Sequence, residues 1–241
     1  MRALIAGDIH GTIEKFERVI KSISEEIDIG ELMLLTGDFE SLSCLKKAFK
    51  IALSLGLKPI SIYGNHEDTA LRDIVSPYEI VEINGGYLLG LGALIEVDGI
   101  KILGISGNRG SGRKWTHWRD SDILEIIKMY KKEKIDIVLS HEMPFGYADK
   151  CRNRRCGKPI LNQLIRELNP MFFFGGHLHS KPEYAISDNG TIIIQVGAIS
   201  NKWAENISYC ALVNLDTKSF IIFEFHHSEN SFSVYTEYKN A

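Results

Sequence analysis

The chain has 241 residues, 44% of them apolar and 24% charged, with only 6 prolines, a balance that excludes disordered, collagenous and coiled-coil chains. A chain of this length buries roughly 70–75% of the surface that its unfolded form exposes, so neither a disulfide nor a metal is needed merely to keep it folded. With 28 basic and 31 acidic side chains the formal net charge is −3, which gives no global attraction to nucleic acid or an anionic membrane and leaves that role to local clusters.

No apolar run approaches the roughly 18–20 residues of a spanning helix, and Asp8 and His10 interrupt the N-terminal apolar run before it can serve as a signal core. The chain reads as cytoplasmic, with no membrane partner. Its cysteines, Cys44, Cys151, Cys156 and Cys210, are too few for a disulfide scaffold, and only Cys151 and Cys156 are close in sequence. A structural zinc would want two further ligands near that pair, and none is there.

Short apolar runs ending in Gly and a polar residue alternate with helix-patterned segments, which gives an α/β class. Residues 1–6 read as a buried strand, and 12–27 as an amphipathic helix with Phe16, Val19, Ile20 and Ile23 on one face. Next come a strand at 31–36, a helix at 42–55, a strand at 59–63 and a short helix at 70–75. Residues 87–107 hold two or three antiparallel strands, punctuated by Gly92 and by the hairpin dipeptide Asp98-Gly99. A helix at 120–132, a strand at 135–140, a helix at 158–168 and a strand at 171–174 follow. Beyond residue 182 the helices stop: strands are expected at 191–196, 208–215 and 219–225, with turns at 188–190 and 216–218. The last ten or so residues read as a frayed tail. With no repeat or linker, 1–241 is expected to be a single domain containing two sheets.

Polar residues collect where these strands end: Gly7-Asp8-Ile9-His10, Gly37-Asp38, Gly64-Asn65-His66-Glu67, Ser140-His141-Glu142 and Gly175-Gly176-His177-Leu178-His179. In an open α/β sheet the carboxyl ends of the strands share one rim, where sites assemble. A single Asp or His at a strand end is usually a turn residue or a helix cap. Here two Asp, one Asn and five of the eight His fall at five strand ends, a coincidence that favours metal binding. Pairs such as Asp8 and His10, or His177 and His179, would lie on one side of an extended segment and grip one ion. Asp8 and Asp38 bring two negative charges against the four positive charges of two divalent ions, leaving an excess that attracts phosphate. His117, His226 and His227 lie outside this pattern and read as surface or packing residues.

In its order, Asp-x-His, Gly-Asp, Gly-Asn-His-Glu, a lone His after a strand and Gly-His-x-His, the motif series resembles that of the calcineurin-like metallophosphoesterases, over residues 8–179. The resemblance implies a four-layer sandwich, two mixed β-sheets packed face to face with helices outside, in which the strands of 181–241 complete the second sheet. It also implies a binuclear centre with two divalent metal ions, Mn²⁺ favoured and iron, zinc or nickel as alternatives. One ion would be held by Asp8, His10, Asp38 and His179, the other by Asp38, Asn65, His141 and His177, with Asp38 bridging. A hydroxide held between cations roughly 3.5–4 Å apart would attack phosphorus in line. His66, which holds no metal in that scheme, resembles the family's general acid for the departing alkoxide. The family often places an Asp three residues after the bridging Asp to orient this imidazole; that position here is Ser41, and Glu40 falls one residue early.

Local similarity to RNA lariat debranching enzymes runs through Gly37-Asp38-Phe39, the stretch ending Gly104-Ile105-Ser106-Gly107, the strand into His141-Glu142-Met143-Pro144 and Leu168-Asn169-Pro170. Those enzymes carry Cys where this chain has Asp8 and continue into a long C-terminal extension, so branch specificity is not carried over. Two basic segments follow active-site strands: Arg109, Arg113, Lys114 and Arg119, then Lys150, Arg152, Arg154, Arg155 and Lys158. Guanidinium groups clamp phosphate bidentately, which makes Arg109, together with Arg152, Arg154 and Arg155, a candidate substrate contact beside the plain solvated-face reading. Cys151 and Cys156 would staple the second segment if oxidised and are expected to be reduced in a cytoplasm. The favoured function is a metal-dependent phosphodiesterase acting on a nucleotide or nucleic acid. A phosphomonoesterase, including a protein phosphatase, is the second reading, and a non-catalytic interaction module on the same fold the third.

Overall fold

The computed structural model describes residues 1–112, 114–200 and 206–240. In chain order the first elements are β1 (Arg2–Ala6), α1 (Ile13–Glu26), β2 (Leu32–Leu35), α2 (Leu42–Ser54), β3 (Lys58–Ile62) and α3 (Thr69–Arg72). The middle holds β4 (Ile80–Ile83), β5 (Gly86–Leu89), β6 (Leu94–Val97), β7 (Ile100–Ile105), β8 (Asn108–Arg109), β9 (His117–Trp118), α4 (Asp120–Tyr130) and β10 (Ile137–Ser140). The last part adds β11 (Lys150–Cys151), β12 (Arg154–Arg155), α5 (Pro159–Leu168), β13 (Phe172–Gly175), β14 (Glu183–Ile186), β15 (Ile192–Gln195), β16 (Ile207–Asn214), β17 (Ser219–His226) and β18 (Ser231–Tyr238).

Among the described residues these strands form an eight-stranded sheet, β18-β17-β16-β1-β2-β3-β5-β4, and a six-stranded sheet, β14-β15-β13-β10-β7-β6. Two short ribbons, β8-β9 and β11-β12, stand apart. The central strands are buried on both faces, which is why they read as unbroken apolar runs. In β1, Leu4 and Ala6 face the cluster beneath α1 and α2, while Ala3 and Ile5 face the other sheet. In β13, Phe172 and Phe174 enter the space between the sheets, and Phe173 points to the layer with α4 and α5. The order of layers is therefore helix, sheet, sheet, helix. Each fully buried phenylalanine contributes about 1.5–3 kcal/mol by leaving water.

Helix α1 buries Phe16, Val19, Ile20 and Ile23, spaced to fall on one stripe. Ser41 starts α2 by accepting the Cys44 backbone N–H at 3.1 Å. Proline at the first turn of α5 and left-handed Asn169 at its end bound that helix at both termini. The Asp98-Gly99 turn joins antiparallel β6 and β7, with φ of 51° and 82°. The antiparallel reading of residues 87–107 holds for β6-β7, whereas β5 runs parallel to β3 and β7 parallel to β10; β4, ahead of that stretch, pairs antiparallel with β5.

Two expectations need correction. The strands of 181–241 do not all complete the second sheet: β14 and β15 do, but β16, β17 and β18 extend the first, because β16 lies antiparallel on β1 with Arg2 opposite Asn214. Nor is the C-terminal segment a frayed tail. Residues 231–238 pair with β17, Phe232 packs edge-on to Phe223 at 5.5 Å, and Tyr238 stacks on Phe220 at 5.4 Å. A bulge opposite Ile222/Phe223 breaks the two-residue period, so the strand has no clean alternation to read.

Candidate metal centre

The five polar motifs converge on one rim. Backbone bonds knit their loops together: Asp8 N–H donates to the Gly37 carbonyl at 3.0 Å, His10 N–H to the Asp38 carbonyl at 2.9 Å, and His66 N–H to Asp38 Oδ1 at 2.9 Å. His177 N–H reaches both oxygens of Asp8, at 3.2 and 3.0 Å. Asp8, His10, Asp38, His177 and His179 all have φ between 47° and 69°. The expectation of paired ligands on extended segments is thus corrected. Left-handed turns, which side chains other than glycine's adopt at a cost, swing these residues inward, as is common where function dictates backbone shape. Gly64 is required by space: a Cβ there would lie 2.1 Å from Asp38 Oδ1.

Two donor groups share Asp38. Ligand atoms of Asp8, His10, Asp38 and His179 lie within 4.8 Å of one another, and so do those of Asp38, His141 and His177. Asn65 Oδ1 stands 2.9 Å from His141 Nε2, at the second group. His10 Nε2 and His179 Nε2 are 2.9 Å apart, and Asp38 Oδ2 is 3.7 Å from His10 Nε2 and 3.4 Å from His141 Nε2. Asp38 is fully buried, yet Oδ2 has no hydrogen-bond partner. A buried carboxylate oxygen with imidazoles on either side and no donor of its own fits a cation. His141 Nδ1 lies 2.8 Å from the Thr36 carbonyl; donating there leaves Nε2 with its lone pair toward the site.

Protonation follows from this packing. Burial opposes charge on Asp38 and His141 alike, but their mutual attraction prevails, holding the Asp38 carboxyl below its usual range and raising His141. Burial lowers His10 and His177. For His179 burial works the same way, but the Asp8 carboxylate outweighs it and raises the group. Metal binding at these groups competes with their protonation.

His66 is exposed at the mouth of the site, its ring 5.3 Å from that of His10. The residues considered as its orienting partner are engaged elsewhere. Ser41 caps α2, and Glu40 Oε1 lies 3.2 Å from His10 Nδ1. Glu67, to which sequence reasoning assigned no role although it closes the Gly-Asn-His-Glu motif, is buried and accepts the backbone N–H groups of Gly64, Phe39 and Glu40. Burial pushes its carboxyl up to about 7 against the pull of those donors. It clamps the loop carrying Asp38 to the turn carrying Asn65 and His66.

The basic residues divide. Arg109 makes a two-point ion pair with Asp120, at 2.5 and 2.9 Å, and Arg155 bonds the buried Asp149 at 2.6 Å. Both guanidinium groups are matched by carboxylates of the chain itself. Arg152 and Arg154 lie in the β11-β12 hairpin, which with His177, Leu178, His179 and Ser180 lines a cleft of ≈ 1220 Å³. Lys114, not singled out as a substrate contact from the sequence, donates through Nζ to the Asn65 carbonyl. Arg113 lies outside the described residues. Cys151, on β11, and Cys156, directly after β12, form no disulfide.

A sandwich of two mixed sheets between helices, with donor groups sharing one carboxylate at its rim, is a metallophosphoesterase arrangement. The family model for calcineurin-like phosphoesterases matches residues 1–181, and the chain belongs to that family, a class of binuclear divalent-metal enzymes. Among curated proteins it is similar to the human lariat debranching enzyme, 26% identical over 242 residues, covering 75% of this chain and 42% of the relative. The Schizosaccharomyces pombe lariat debranching enzyme is 25% identical over 232 residues, covering 75% and 48%. The chain thus spans under half the length of these relatives. Among solved structures, TT1561 of Thermus thermophilus superposes with a TM-score of 0.70 at 15% identity over 92% of this chain and 97% of its own, a likeness of fold. Among the described residues no helix is long and apolar enough to cross a membrane.

Proposed function

We propose that the chain is a metal-dependent phosphodiesterase of the cytoplasm, acting on a nucleotide or nucleic-acid diester with two divalent ions, manganese favoured. The observation that carries this reading is the sharing of Asp38 by two donor groups. Asp8, His10, Asp38 and His179 would hold one ion, and Asp38, Asn65, His141 and His177 the other. Bound there, the ions supply a nucleophile at neutral pH and neutralise charge on the phosphoryl oxygens. The chain's own part is orientation and proton delivery. Asp38 Oδ1 fixes the backbone of His66, and the His66 imidazole, exposed beside the donor groups, would give its proton to the departing alkoxide. The similarity to lariat debranching enzymes supports a diester in particular.

The test is a panel of small chromogenic monoesters and diesters with Mn²⁺ and with excess chelator. The diester is expected to be cleaved faster, and hydrolysis is expected to stop in chelator. Undiminished turnover in chelator would refute the reading, and a clear monoester preference would replace diesterase by phosphatase.

Arg152 and Arg154, on the hairpin beside His177 and His179, are proposed to hold flanking phosphates of a long substrate. Arg155 is left in place as the partner of Asp149. Replacing Arg152 and Arg154 by Ala should leave cleavage of a small diester unchanged. On single strands, log affinity falls with log salt by about 0.7 per neutralised phosphate, so the slope should shrink by about 1.4. Binding of an oligonucleotide to chelated protein at several salt concentrations measures it; an unchanged slope returns the hairpin to a solvated face.

A further inference from the structure

We propose that Lys114 is a substrate-phosphate ligand, placed at the end of the metal centre opposite the β11-β12 hairpin. Together the two would grip an extended strand with phosphates on both sides of the scissile one. The proposal rests on the phosphoesterase reading above and adds the substrate class and a residue that reads it.

The placement follows from sheet order. In the six-stranded sheet the strands run β14-β15-β13-β10-β7-β6. His177 and His179 follow β13, His141 follows β10, and the segment carrying Lys114 follows β7. The hairpin leans the other way: Cys151 to Arg154 line a cleft with His177 to Ser180, and Lys150 Nζ lies 3.4 Å from Glu183 Oε1 on β14. The imidazoles therefore lie between a cation on the β7 side and a pair of cations on the β13-β14 side.

The chemistry of Lys114 differs from that of its basic neighbours. Arg109, Arg155 and Lys158 are matched by Asp120, Asp149 and Glu142. Lys114 is exposed and donates to a neutral oxygen, the backbone carbonyl of Asn65, and among the described residues no carboxylate pairs with it. An ammonium carries three donors, so two remain for phosphate oxygens. Its segment is held in place: Trp115 packs on Tyr63 with ring centroids 4.9 Å apart, Gly107 N–H donates to the Tyr63 carbonyl at 2.7 Å, and His117 N–H to the Lys114 carbonyl at 2.9 Å. Tyr63 and Asn65 belong to the turn after β3 that also carries His66. These contacts bring the charge beside the turn that carries Asn65 and His66.

The competing role is a brace for Asn65, and the test separates the two. Lys114→Ala, Lys114→Arg and the wild type are compared in Mn²⁺ affinity by calorimetry, in inorganic phosphate affinity of the Mn²⁺-loaded protein, and in KM and kcat for a single-stranded oligonucleotide. Lys114→Ala is expected to keep its Mn²⁺ affinity and kcat, while phosphate affinity weakens and KM rises by about tenfold, as for loss of one charged hydrogen bond. Lys114→Arg should restore both. Weaker Mn²⁺ binding with unaltered phosphate affinity in the loaded protein would make Lys114 a brace and overturn the proposal, as would no change at all. A wild type that hydrolyses the oligonucleotide while Lys114→Ala behaves identically sinks this inference alone. A wild type that neither binds phosphate nor hydrolyses any ester sinks the phosphoesterase reading with it.

Discussion

Asp38→Asn is expected to abolish hydrolysis and strip bound metal in the same step. Asp38 is the one residue common to both donor groups, and its Oδ2 is buried between His10 and His141 without a protein donor. Replacing outer partners of metal ligands typically costs 10–100-fold in metal affinity, so losing the shared carboxylate should cost more than about a hundredfold. The amide would keep an oxygen for the His66 N–H, so the turn after β3 should hold. Folding should also hold, because the three apolar clusters are built without the site. Metal analysis after gel filtration, circular dichroism and diester turnover together check this. Full turnover by the variant would remove Asp38 from the centre.

His66→Gln has the second largest expected effect and isolates proton transfer from metal binding. The His66 side chain belongs to neither donor group, and it is exposed where Asp38 is buried. Metal content should therefore remain near that of the wild type. General acid catalysis typically contributes about 10²–10⁴ in rate, and the loss should be greatest for alkoxide leaving groups, which depart poorly without a proton. Nitrophenolate needs little protonation, so its release should fall much less. Equal losses for alkyl and nitrophenyl diesters would contradict the acid role and point to a binding one. Since Ser41 and Glu40 are committed to the α2 cap and to His10, Ser41→Ala should not mimic His66→Gln.

What could be read before any coordinates was whatever depends on local spacing and residue identity. The apolar stripe of α1, the Asp98-Gly99 hairpin and the runs that became β1, β2, β10 and β13 follow from burial on one face, on two faces, or from a turn that needs φ > 0. The meeting of the five motifs was legible for the same reason: each sits directly after a strand, and parallel strands bring their carboxyl ends to one rim. Strand β18 was not legible, since a bulge destroys its alternation and its partner is β17 rather than its own pattern. The choice of sheet for β16 was equally hidden, because it depends on which edge of β1 is open.

At the site, the tertiary structure decided which carboxylates face which cations. Asp120 and Asp149 face Arg109 and Arg155 across turns whose shape the composition does not encode. Lys114 and Glu67 gained their positions from contacts to the turn after β3, with Asn65 49 residues from Lys114 in the chain. The left-handed turns at Asp8, His10, Asp38, His177 and His179 belong to the same category. Residue identity determined which atoms can ligate a metal or carry a proton. Long-range packing, which is paid for across the whole fold, determined their direction, their partners and their charge.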